Sequence, residues 1–133
     1  MTAITAPAAN AEAGLADWLT KASVQLAEIH QAEGDALTVL QAEGSIDYAA
    51  LQPVCTRLAN ANTAFKETLP TPDPKLTAEV QQAVDNFESA AQSCALAISA
   101  HDDDKVREFV LYMKRAERHL ANADAIVVTL PPS

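Results

Sequence analysis

An all-α fold, an antiparallel four-helix bundle with a disordered N-terminal arm, follows from three observations. Ala fills 28 of the 133 positions, whereas Gly occupies 3 and aromatic residues 5%. Ala is the best helix former, and the β-branched and aromatic residues that favour strands are few. Apolar residues recur at spacings of three and four in four successive segments, the signature of helices with one buried face. Short breaks marked by Gly, Pro or Asp separate these segments, which favours antiparallel neighbours. A chain of this size buries roughly two thirds of its unfolded surface, enough for one core. Residues 14–130 are therefore read as a single domain and residues 1–13, rich in Ala, Thr, Pro and Asn, as a tail.

The first helix is expected from Glu12 to Glu43, on a stripe of Leu15, Leu19, Ala22, Leu26, Ile29, Ala36 and Leu40 that Trp18 widens. Such a helix is about 46 Å long. Glu33 falls on the stripe and Gly34 follows it, which marks a site for a kink. Gly44-Ser45 is a stop and restart. Asp47 is a good N-cap for the second helix, whose stripe is Leu51, Cys55, Leu58, Asn62, Phe65 and Leu69. Pro53 removes a backbone donor there, predicting a bend between Tyr48 and Pro53 or a start delayed toward Gln52. Asn62 is polar on an apolar stripe, placed either to fix helix register or to face a wet seam.

Leu69-Pro70-Thr71-Pro72-Asp73-Pro74 reads as a stiff extended linker. Asp73 then caps a third helix with Pro74 in its first turn. That helix is striped by Leu76, Val80, Ala83, Val84, Phe87, Ala91, Cys94 and Ile98. His101 breaks the chain, and Asp102, Asp103 and Asp104 suit the positive end of a fourth helix. Val106, Phe109, Met113, Ala116, Leu120, Ala123 and Val127 stripe it, and its β-branched tail before Pro131 is expected to fray.

Cys55 and Cys94 are the only cysteines, and both lie on apolar stripes of adjacent helices. In a tight hairpin they would miss each other by about 10 Å. A linker extended along the bundle axis removes that mismatch and permits a disulfide. The bridge would close a loop worth roughly 3–4 kcal/mol in the chain-entropy model. The alternative is two buried free thiols acting as small apolar residues.

The segment Asp47 to Leu51, Cys55, the Pro-rich run Leu69 to Pro74, Phe87 and Cys94, with Trp18 upstream, resembles a loose group of small two-cysteine helical proteins of actinobacteria. The similarity spans residues 15–127. It carries no activity over to this chain, but it implies a disulfide and an exported or envelope-associated origin. Met1 to Ala13 has neither a basic nor an apolar signal region, which points to the cytoplasm unless a native signal has been removed.

The formal charge of −9 disfavours nucleic acid and anionic membrane as partners. No apolar run approaches the length of a membrane span. The charge is uneven: residues 1–104 carry 4 bases and 15 acids, whereas residues 105–133 carry 5 bases and 3 acids. The fourth helix also holds Phe109-Val110-Leu111-Tyr112-Met113, apolar on every side. Phe109, Leu111, Tyr112 and Met113, flanked by Arg107, Lys114 and Arg118, are the candidate contact face for a protein partner or a second copy.

No metal or cofactor site is expected. Glu-x-x-His pairs are absent, and His30 with Glu33, one turn apart, reads as solvated surface. Gly-rich phosphate loops and GxSxG elbows are absent too, as are the Trp-x-Gly and Tyr-x-x-x-Asp/Glu signals of helical-hairpin export substrates. The resulting expectation is a non-catalytic protein of interaction or structure. The alternative is a carrier of a small apolar ligand or lipid, with a cavity between Ala-rich helices beside Trp18, Phe65, Phe87 and Phe109.

Overall fold

The chain, a computed structural model, is described over residues 5–130, with side chains from residue 14 onward. Four helices follow one another: α1 (Thr5–Gln41), α2 (Tyr48–Lys66), α3 (Pro74–Ala100) and α4 (Asp103–Val127). α1 begins ahead of the expected Glu12. The arm expected over residues 1–13 lies outside the residues whose side chains are described.

The stop and start signals act as their chemistry requires. Asp47, Asp73 and Asp102 each sit in extended backbone, and each carboxylate accepts a backbone N–H of the first helical turn. Gly44 adopts φ +93° after α1, a conformation strained for any residue with a Cβ. His101 takes a similar left-handed turn at φ 50° without that freedom, and its ring stacks on Tyr48 at 4.6 Å. Pro53 neither delays α2 nor ends it, because Asp47 already fixes the first turn. α1 runs through Gly34 without a break.

Cross-helix pairs fix the topology as up, down, up, down. Asp35 with Arg57 and Trp18 with Thr68 set α1 antiparallel to α2. Cys55 with Cys94 and Asn62 with Val84 do the same for α2 and α3. The backbones of α3 and α4 approach most closely. Ala83, Ala90 and Ala97 on α3 and Ala116 on α4 are fully buried, and small side chains let helices draw together. Phe65, Phe87 and Phe109 are fully buried at the centre.

Cys55 and Cys94 stand at disulfide distance, with Cα atoms 5.7 Å apart. Cys55 lies 11 residues before Lys66, whereas Cys94 lies 20 after Pro74. The difference makes α3 overhang α2 by about 13 Å. Residues 67–73 carry the chain across that offset, but not as a free polyproline rod. Thr71 is buried, and its hydroxyl lies 2.8 Å from the Thr77 hydroxyl and donates to the Asp73 carbonyl at 2.7 Å. Trp18 Nε1 donates to Thr68 Oγ1 at 3.2 Å, tying α1 to the same segment. Asn62 settles its two readings toward register: it is buried, and its Nδ2 donates to the Val84 carbonyl at 3.0 Å.

The unreduced chain is expected to weigh about 2 Da less than the reduced one, and a Cys55→Ser/Cys94→Ser double variant to lose roughly 3–4 kcal/mol. Intact mass and urea unfolding check the two statements. An unchanged unfolding midpoint would show that this closure does not hold the register.

Candidate functional site

The expected contact face does not form as a unit. Phe109 is 0% exposed and Met113 5%, so both belong to the core. They lie four residues apart on the buried stripe of α4, and this periodicity prevails over the local apolar run. Tyr112 is half-buried against the core, with the Arg115 guanidinium 5.5 Å from its ring centre. Leu111 alone of the four apolar residues faces solvent, at 46% exposure. Arg107, Lys114 and Arg118 are exposed on the same side of α4, and Arg107 pairs with Asp104.

A different feature emerges between α1 and α4. Their backbones stay apart, unlike those of α3 and α4. The gap is a groove of about 350 Å³, at the lower end of the range for small-ligand sites. Phe65, Leu76 and Val80 form its floor, and Trp18, Leu26, Leu120 and Val127 contribute to its walls. Phe65 and Leu76 are fully buried and Val80 nearly so. This floor exists because α3 overhangs α2: beyond Lys66, cover for Leu76 and Val80 passes from α2 to α1, α4 and the connecting segment, whose Leu69 packs on the core. A larger depression of about 720 Å³ between α1 and α2 is lined mainly by polar side chains such as Gln25, Gln52 and Asn60. The groove between α1 and α4 is the better candidate, because its lining is apolar and its floor is core.

Polar groups gather at one end. His30 and Glu117 line the groove there, and Glu33 stands beside them. His30 Nε2 lies 3.3 Å from Glu117 Oε2 and 4.0 Å from Glu33 Oε1. Burial, then the hydrogen bond that protonated Glu33 donates to Glu117 and the charge of Glu117, push the Glu33 carboxyl up to about 9. The Glu33–Glu117 pair therefore keeps a proton above the usual carboxylate range. Glu117 Oε2 is buried without a hydrogen-bond partner. The donor set of one imidazole and two carboxylates is also of a kind that holds a divalent cation. The reading of His30 and Glu33 as solvated surface is corrected for Glu33, whose side chain is 15% exposed. Its place on the apolar stripe was the available signal. Glu117 could not be joined to it without the register of α1 against α4.

Two outcomes are expected. Phe109→Ala should cost roughly 3–5 kcal/mol as a core deletion, while Leu111→Ser stays within about 0.5 kcal/mol; chemical denaturation separates the two. Glu33 releases its proton near 4.5 when unfolded and near 9 when folded. Between those values the folded state binds the extra proton, so its stability falls as pH rises. Glu33→Gln copies the protonated form and removes that slope. Thermal melts of both chains across that pH window should diverge in favour of the variant as pH rises.

No protein-family model, curated protein or solved structure matches the chain.

Proposed function

We propose that this chain is a non-catalytic binding protein whose groove between α1 and α4 holds a small, largely apolar molecule. The observation that carries this reading is the floor of Phe65, Leu76 and Val80 beneath a gap the helices do not close. The non-catalytic part rests on the sequence, which lacks nucleophile and phosphate-loop motifs.

The neutral fluorophore N-phenyl-1-naphthylamine tests the groove. Bound there, it lies beside Trp18 and should quench its emission by energy transfer, saturating at one probe per chain. Ser23 and Ala121 line the groove at exposed positions. Ser23→Phe or Ala121→Phe should block binding while leaving the fold intact by circular dichroism. Binding that ignores both blocking variants would overturn the reading.

A second reading is favoured by Leu111, exposed on α4 between Arg107, Lys114 and Arg118. Such an apolar residue framed by cations suits an acidic protein surface, including that of a second copy. Native mass spectrometry separates the two readings. A monomer carrying extra small mass supports the groove. A dimer abolished by Leu111→Glu supports the surface of α4.

A further inference from the structure

We propose that the groove is built for a cationic amphiphile, with a protonated amine seated against Glu117 and Glu33 and an apolar tail running toward Trp18 and Val127. This rests on the groove reading above and adds the chemistry of the ligand. Two independent features lead to it.

The first is charge. Glu117 and Asp124 line the groove, and no Lys or Arg does. Among the described residues, neither Glu33 nor Glu117 pairs with a Lys or Arg; His30 is the basic group beside them. Two carboxylates placed together at a half-buried site lack the cation that would offset their repulsion. In the empty protein a proton on Glu33 fills that role. An ammonium group can replace the proton and brings up to three donors, one of them for Glu117 Oε2, which His30 Nε2 approaches only to 3.3 Å.

The second is shape. Glu117, with Glu33 beside it, stands at one end of a mainly apolar trough, while the exposed Asp124 lies about two turns further along α4. A divalent ion on His30, Glu33 and Glu117 would satisfy the donors but leave the trough without a purpose. An anionic lipid would fill the trough but meet like charge at its head. A primary alkylamine meets both halves of the site.

The experiment is displacement of N-phenyl-1-naphthylamine from the full chain at neutral pH by n-octylamine, n-octanol and octanoate, with zinc chloride titrated separately. Octylamine is expected to displace the probe at a concentration roughly tenfold below that of octanol, since a charge-assisted hydrogen bond adds that much preference. Octanoate should be weakest. Glu33→Gln/Glu117→Gln should erase the difference between amine and alcohol. Glu117→Gln alone, at a side chain 40% exposed, should narrow it with the fold preserved. Equal displacement by amine and alcohol, or a preference that survives the double variant, would overturn the amine while leaving the groove. Zinc binding that the double variant abolishes, with no amine preference, would replace the amine by a metal centre. Failure of every amphiphile, with the probe indifferent to Ser23→Phe and Ala121→Phe, would remove the groove itself.

Discussion

The register of α2 against α3 governs this molecule. Two interactions hold it: Cys55 facing Cys94 across 5.7 Å between Cα atoms, and Asn62 donating to the carbonyl of Val84. Together they fix α3 about 13 Å beyond the end of α2. An aligned hairpin would cover Leu76 and Val80 with α2 itself. The offset leaves that work to α1, α4 and the last turn of α2, where Phe65 sits. The Thr71 and Thr68 hydrogen bonds then anchor the connecting segment beneath Trp18. The groove follows from the offset, because two helices on opposite sides of an overhanging third cannot both be drawn onto it and onto each other.

Side-chain size decides which seam opens. Ala83, Ala90 and Ala97 of α3 and Ala116 of α4 are fully buried, and the α3 and α4 backbones lie close together. Trp18, Leu26, Leu120 and Val127 stand between α1 and α4, and those backbones do not. The abundance of Ala that makes the chain helical thus also shapes its interior, most clearly on α3, where Ala83, Ala90 and Ala97 recur every seven residues and are all buried. Glu33 and Glu117 are tolerated at the end of the open seam because it is only partly dry. A carboxyl that keeps its proton avoids most of the cost of burying a charge.

Much of the architecture was legible in the sequence. Asp47, Asp73 and Asp102 announced three helix starts by side-chain chemistry that acts within one turn, and Gly44 announced a stop by backbone freedom. Local signals of that kind survive any tertiary context. The cysteine pair was legible only in part, since its spacing demanded an offset that the linker could grant or refuse. The contact face failed for a related reason. Five apolar residues in a row carry no period of their own, whereas the stripe of the whole helix already turned Phe109 and Met113 inward and left Leu111 off it. The acid pair was hidden more deeply. Glu33 on an apolar stripe was visible, but its partner lies 84 residues away, and only helix-to-helix register brings the two together.

The basic character of α4 bears on where function resides. Lys105 pairs with Glu108 and Arg107 with Asp104 on the same helix, and Arg115 covers the Tyr112 ring. Much of this positive charge is therefore engaged locally, and exposed pairs of that sort contribute little to stability or recognition. Of the three cations that frame Leu111, Arg107 is paired, while Lys114 and Arg118 stay in open solvent, where a charge makes a weak demand for a partner. The groove is in the opposite condition. Its carboxylates are held together by tertiary structure, partly shielded from water, and joined by no Lys or Arg. Screening by salt is weaker there than on the open face of α4. A carboxylate that is partly dry and joined by no Lys or Arg makes the stronger demand for a cation, and for this reason we set the proposed ligand between α1 and α4 rather than on the basic face.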